Sequence, residues 1–377
     1  MQSDRPFDLI VKNVRVVRPN ASEIPLEDIA VRDGLFAAFG PELPPESATI
    51  IIDGKGLLAF PGVVDAHAHV GIYAPLDHDA RTESRAAAQG GVTTLLNYIR
   101  TGKYYLNRGG SYATFMPEVL KLSEGNYFVD YGYHVAPMSG EHLTELELLF
   151  TEYGIPSFKI FMFYGCHGLH GGSDQQHEFL MINKDESYDV AHFEMVMRSI
   201  ERLRQSFPQY KDSISLSLHC ETGEIMRAYT RLVLTERTLT GLRAYSESRP
   251  PHSEGLAIFT AAYLANITDC LNINLLHLSS SEALSAAMMM ANVFPHVSFR
   301  REVTLGHLLL DYDSPQGILA KVNPPIRSRK DVESLWQAVL SGKIDWVVSD
   351  HACCSMEQKV AAENPDDVFL AKSGFGG

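Results

Sequence analysis

Short apolar runs that alternate like half-buried strands open the chain, at Asp8–Val14, Asp28–Arg32 and Ala48–Ile52. Asp33-Gly34, just after the second run, is the dipeptide of a two-residue hairpin turn. Residues 1–58 therefore read as a small β module. From residue 60 the pattern changes to strand-length apolar runs separated by amphipathic helical segments. The predicted strands are Val63–His69, Val92–Ile99, Phe128–Val135, Ser157–Tyr164, Ile214–His219, Ile273–Leu278, Val297–Val303 and Trp346–Asp350. The predicted helices are Thr82–Gln89, Tyr112–Leu122, Glu141–Tyr153, Ala191–Ser206, Ser253–Ala265, Ser281–Asn292 and Lys330–Leu340. Strand–helix alternation implies a parallel sheet. Eight such units predict an α/β chain with a (β/α)8 TIM barrel over residues 59–377, whose functional residues gather at the strands' C-terminal ends. A doubly wound sheet is the competing arrangement, but no Gly-rich nucleotide fingerprint follows an early strand.

Two connections are long for βα loops. Thr101–Gly110 is basic and aromatic, with Lys103, Tyr104, Tyr105 and Arg108; Gly165–Asp189 is rich in Gly and His, with His167, His170 and His177. On a barrel both would rise from the catalytic face as lids or specificity elements. The 377 residues, 45% hydrophobic and 21% charged, have the balance of an ordinary globular chain. A formal net charge of −14 argues against a nucleic-acid partner. Five cysteines without Cys-x-x-Cys spacing read as free thiols in a reducing compartment. The amino terminus lacks the basic-then-apolar run of a signal peptide, and no apolar stretch suffices to span a bilayer. A cytoplasmic protein with no membrane partner is the expectation.

Candidate chemistry lies where polar residues interrupt apolar strands near their ends. In Asp65-Ala66-His67-Ala68-His69, residues two apart project from one face, so His67 and His69 can aim at one point. Two converging imidazoles suit a metal ion. Lys159 stands among large apolar residues in Ser157-Phe158-Lys159-Ile160-Phe161-Met162. Burial drives an unpaired ammonium toward the neutral amine. That amine can combine with carbon dioxide, giving a carbamate able to bridge two metals. His219, His277 and Asp350 end strands five, six and eight. Taken singly, each is more ordinary as a hydrogen-bonded core residue. Together they give six nitrogen and oxygen ligands without a thiolate, a set that suits zinc, with manganese, iron or cobalt as alternatives. Six ligands exceed one tetrahedral site, so two metals sharing a bridge is the economical arrangement.

With these residues in view, the chain resembles the amidohydrolase superfamily, and within it the hydantoinase and dihydropyrimidinase group of cyclic amidases. The resemblance rests on Pro61–His69, Ser157–Met162, Ser248-Arg249-Pro250-Pro251, Lys321-Val322-Asn323-Pro324-Pro325-Ile326-Arg327 and Ser349-Asp350-His351. It implies that His67, His69 and Asp350 hold the more buried of two divalent metals, zinc by the donor set, and His219 and His277 the more exposed. Lys159, carboxylated by carbon dioxide, would bridge them. It further implies hydrolysis of a cyclic amide C–N bond (hydantoin, dihydropyrimidine or cyclic imide) by a metal-bridging hydroxide. Asp350 would move the proton, Tyr164 would polarise the carbonyl, and Asn323 and Thr304 would contact substrate. Members of the group form homotetramers or homodimers.

Alternatives within the resemblance separate on particular residues. Dihydroorotases carry an arginine two residues beyond the His-x-His; here that position is Gly71. Hydrolysis of an acyclic amide, carbamate or ureide on the same scaffold is the second reading, because the long loops would reshape the pocket. A non-catalytic dihydropyrimidinase-like scaffold is the third, opposed by the filled ligand positions. Members of the group continue through a last barrel helix and strands that complete a small β-sandwich with the N-terminal module. The expectation here is that residues 1–58 supply the N-terminal part of that sandwich, with its C-terminal half and the last barrel helix missing.

Overall fold

The computed structural model describes residues 5–169, 175–360 and 364–376. The chain divides into two compact units, Met1–Val63 and Val64–Gly377. In the first, β1 (Phe7–Val16) pairs antiparallel with β2 (Leu26–Arg32) and parallel with β4 (Ala48–Asp53). β3 (Leu35–Gly40) lies beyond β2, and β5 (Leu58–Ala59) adds a short parallel pairing to β1. β3, absent from the sequence reading, forms the hairpin with β2. Its turn residues Asp33 (φ 51°) and Gly34 (φ 74°) take the left-handed conformations that a two-residue hairpin turn requires. The core of this module is small, centred on Ile10, Ala30 and Ala48.

The second unit holds eight parallel strands in sequential order: β6 (Val63–Ala68), β7 (Val92–Ile99), β8 (Asp130–Val135), β9 (Ser157–Phe161), β10 (Ser215–His219), β11 (Asn272–Leu275), β12 (Ser298–Thr304) and β13 (Trp346–Val348). The ring closes where Ala68 bridges His351 in parallel and the His69 N–H donates to the His351 carbonyl at 2.7 Å. This is the (β/α)8 barrel that the alternating pattern predicts. Among the described residues no helix is long and apolar enough to cross a membrane, and all five cysteines are free.

Three differences from the sequence reading have local causes. The predicted helix Glu141–Tyr153 is broken into Gly140–Thr144 and Leu146–Tyr153. At the break, the Glu145 carboxylate accepts hydrogen bonds from the Tyr112 and Ala113 N–H groups, capping a neighbouring helix. Helices Gly223–Glu236 and Gly241–Ser248 were not expected. The first of them buries only Gly223, Met226 and Val233, too sparse a stripe to register as helical periodicity. Finally, the predicted strands ending at Tyr164, Leu278 and Asp350 stop earlier, at Phe161, Leu275 and Val348. Beyond those points the chain turns inward, and His277 (φ 35°) and Asp350 (φ 54°) adopt left-handed backbone. Such strain is characteristic of functional positions in non-glycine residues.

Barrel closure also depends on Asp65. Its buried carboxylate accepts from the Ser349 N–H (3.2 Å), the Ser349 hydroxyl and the His67 N–H (3.3 Å), joining the first strand to the segment after the last. Asp65→Ala orphans buried donors at about 1–3 kcal/mol each. Urea denaturation should show a loss in that range or above; an unchanged midpoint and slope would contradict this role.

Candidate metal centre

The C-terminal mouth of the barrel brings together the six residues that the sequence offers as candidate ligands. His67 leaves β6 fully buried, and its Nδ1 donates to Glu302 Oε1 at 2.8 Å. The tautomer this bond selects leaves the Nε2 lone pair facing inward. That atom lies 3.1 Å from Asp350 Oδ1 and 3.1 Å from Lys159 Nζ. His69 repeats the arrangement, with Nδ1 held by the Tyr105 hydroxyl at 2.7 Å and Nε2 3.3 Å from the same Asp350 oxygen. One ligand atom each from His67, His277 and Asp350 lies within 4.8 Å of the others.

His219 and His277 form the facing wall, with ring centroids 4.3 Å apart. His219 Nε2 is tied to Glu221 Oε2 at 2.6 Å, leaving Nδ1 as the nitrogen able to face the cavity. Glu221 is clamped in turn by Arg249, whose Nε donates at 2.9 Å. The His277 N–H donates to Glu302 Oε1, while its Nδ1 is buried with no hydrogen-bond partner among the described residues. A buried, unpartnered imidazole nitrogen beside three other ligand-type groups fits a cation better than it fits an apolar core.

Burial also sets the protonation states. It lowers His67 and His69, with the neighbouring Lys159 acting in the same direction. It lowers His277, to which His219 adds. It drives Lys159 toward the neutral amine against the pull of Asp350 and Glu302. Burial alone would push the Asp350 carboxyl up, but His67, His69 and Lys159 outweigh it and hold the group well below the usual carboxylate range. The imidazoles are therefore neutral lone-pair donors beside the ionised Asp350, with Lys159 shifted toward its amine, the donor form that a divalent cation needs.

Above these residues lies a cavity of about 490 Å³, open mouth included, lined by Ile72, Tyr73, Tyr105, Phe161, Phe163, Tyr164 and Asn323 together with His69, His219 and His277. Tyr164 stacks on Phe161 with centroids 4.6 Å apart. Asn323 is fastened by its side chain, its Nδ2 donating to the Leu169 carbonyl at 2.9 Å and its Oδ1 accepting from the Tyr245 hydroxyl. Thr304 has a different position. It caps the helix Leu305–Leu309, its hydroxyl 2.8 Å from His307 Nδ1, and it is not among the residues lining the cavity.

The two long loops meet beside the cavity: the Lys103 N–H donates to the Phe179 carbonyl at 3.0 Å. Between them sits Arg100, 1% exposed, its guanidinium carbon 5.1 Å from the centre of the Tyr164 ring and 4.7 Å from that of Phe179. Among the described residues its Nε and Nη2 have no hydrogen-bond partner. His170, in the second loop, lies outside the described residues; His167 and His177 are not part of the cavity wall.

Sequence reading gave no role to Glu302, Glu221 or Arg100, and named Tyr105 only as a loop aromatic and Arg249 only within a motif. Glu221 had a usable signal, because an acid two residues beyond a strand-end histidine can reach its ring. Glu302→Gln removes the carboxylate that orients His67 and should weaken divalent-metal binding about 10–100-fold. Competition against a chromophoric chelator measures the change, and wild-type affinity would contradict the orienting role.

No protein-family model matches the chain. It is 30% identical over 362 residues to the allantoinase of Salmonella choleraesuis (strain SC-B67), covering 94% of this chain and 71% of that protein. An allantoinase of Escherichia coli O1:K1 / APEC is 29% identical over 364 residues, with the same coverage. Among solved structures, a D-hydantoinase superposes with a TM-score of 0.78 at 25% identity, covering 98% of this chain and 74% of that one. The L-hydantoinase (dihydropyrimidinase) from Arthrobacter aurescens gives 0.78 at 23% identity, with the same coverage.

Proposed function

This chain belongs to the cyclic-amidase group of the amidohydrolase superfamily, and from that premise we propose that it hydrolyses the ring amide of a small hydantoin-type substrate with two divalent metal ions. One observation carries the reading: the Nε2 atoms of His67 and His69 and the Nζ of Lys159 converge on the Asp350 side at the barrel mouth, opposite His219 and His277. His67, His69 and Asp350 would hold one ion and His219 and His277 the other, with carboxylated Lys159 between them. Nitrogen and oxygen donors without sulfur favour zinc. When bound, the ions supply Lewis acidity that makes water nucleophilic at neutral pH and polarises a carbonyl. Five free cysteines suit the reducing surroundings of the cytoplasm.

The chain's own groups perform the remaining work. Asp350 is held ionised at the centre of the cluster, so it can take a proton from the attacking water and return it to the departing ring nitrogen. Tyr164 reaches the cavity with its phenol protonated, because burial raises it while the Arg100 charge only partly opposes the shift. It can therefore donate a hydrogen bond to the carbonyl oxygen as negative charge develops there. Asn323, pinned by Tyr245 and Leu169, offers a fixed peptide edge for the ring amide. Phe161 and Phe163 give the cavity an apolar wall.

A panel of allantoin, simple hydantoins, dihydrouracil, cyclic imides and linear amides tests the substrate class on metal-loaded protein. Ring opening of a hydantoin-type member is expected; turnover of linear amides alone would reverse the assignment. Lys159→Ala should lower the metal content below two ions per chain by elemental analysis, and two tightly held ions in that variant would sink the bridging role. Tyr164→Phe should reduce kcat about 10²–10³-fold with metal content unchanged; a kcat within threefold of wild type would remove Tyr164 from the chemistry.

A further inference from the structure

A second convergence of metal-binding side chains lies outside the hydrolytic cluster and shares no residue with it. Glu83 comes from the helix Leu76–Gln89, while His351 and Cys353 lie two residues apart in the segment following β13. A carboxylate oxygen, a ring nitrogen and a thiol sulfur from these three residues all lie within 4.8 Å of one another. His351 Nε2 is 2.6 Å from Glu83 Oε2, and the Cys353 sulfur lies within 4.8 Å of both a Glu83 carboxylate oxygen and a His351 ring nitrogen. The His351 and Glu83 side chains are 14% and 17% exposed, sheltered yet reachable from solvent. Asp79, one turn earlier on the helix, and Asp65 add negative charge facing His351. Nothing in the hydrolytic reading employs any of the three.

We propose that Glu83, His351 and Cys353 form a third metal site, taking one zinc-type divalent ion with water in the fourth position. The donor set is the mixed sulfur, nitrogen and oxygen combination that zinc accepts in tetrahedral sites. Tetrahedral zinc holds its donors roughly 3.3–3.8 Å apart, so the close His351–Glu83 pair has to open by only about an ångström. The remaining donor pairs lie within a span that small side-chain adjustments can close. On binding, the thiol proton leaves to solvent, and a thiolate, a neutral imidazole and a carboxylate then surround the ion. The same His351 supplies the carbonyl that closes the barrel onto His69 and adjoins Asp350 in the chain. A filled site would tie the Asp350 segment to the helix Leu76–Gln89, so excess metal should alter turnover.

The absence of sulfur from the hydrolytic cluster makes the test specific. Cobalt(II) added to full-length protein should give a thiolate-to-cobalt charge-transfer absorption only through a cysteine, with the hydrolytic ligands spectroscopically silent in that band. The band should appear with one ion beyond those filling the hydrolytic centre and survive desalting. It should vanish in Cys353→Ser, weaken at least tenfold in apparent affinity in Glu83→Gln, and persist in Cys354→Ser and Cys166→Ser. Circular dichroism confirms that each variant is folded. No band in folded, cobalt-loaded wild type, a band lost on desalting, or one that survives Cys353→Ser would overturn the proposal. Because the signal does not depend on turnover, it stands or falls independently of the hydrolase assignment.

Discussion

Glu302 brings a carboxylate into the interior of the barrel, where no bulk water solvates it, and donors from three other segments answer it. His67 on β6, the His277 N–H after β11 and the Trp346 indole on β13 all hydrogen-bond to this one group on β12. A buried carboxylate costs several kcal/mol unless its lone pairs are satisfied, so these segments are constrained to approach one another at a single point. The constraint has a chemical by-product: it fixes the tautomer of His67 and the backbone position of His277. Packing of the barrel and preparation of the ligands are thus the same set of contacts.

The outward supports differ in kind. His69 is oriented by Tyr105, which belongs to the long loop Thr101–Gly110, so this ligand is tied to the element that shapes the cavity. His219 is oriented by Glu221, and Glu221 by Arg249; Arg249 also donates to the Tyr245 hydroxyl, which donates to Asn323. That is an unbroken hydrogen-bond path from a candidate metal ligand to a candidate substrate contact. A substitution that moves Tyr245 should therefore be felt on both sides of the cavity, as expected when buried polar networks are satisfied only as a whole.

The legibility of these features in the sequence follows from how each residue contrasts with its neighbours. Lys159, His219 and Asp350 stand out because each interrupts an apolar run, and the structure gathers all three at the barrel mouth. Glu302 does not stand out, since it follows Arg300 and Arg301 and reads as one more member of a solvated face. Arg100 reads as the polar end of a strand, although it is almost wholly buried among aromatic rings. Thr304 was placed by motif position, whereas its hydroxyl is occupied as a helix cap. The inward turns at His277 and Asp350 were also hidden, because left-handed backbone at a non-glycine residue is imposed by tertiary contacts.

Desolvation does more here than hold an apolar core together. In water, four histidines and a lysine within a few ångströms would be partly or fully protonated near neutral pH and would repel a cation. Buried together, they disfavour one another's charge, and the solvent that would stabilise those charges is excluded. Asp350 keeps its charge, because the imidazoles and Lys159 around it favour the anion. The barrel therefore selects the protonation state of its ligands before any ion arrives. Metal affinity at neutral pH consequently follows from the depth of the mouth as much as from the identity of the donors, and a substitution that admits water beside Lys159 would weaken the centre without touching a single ligand.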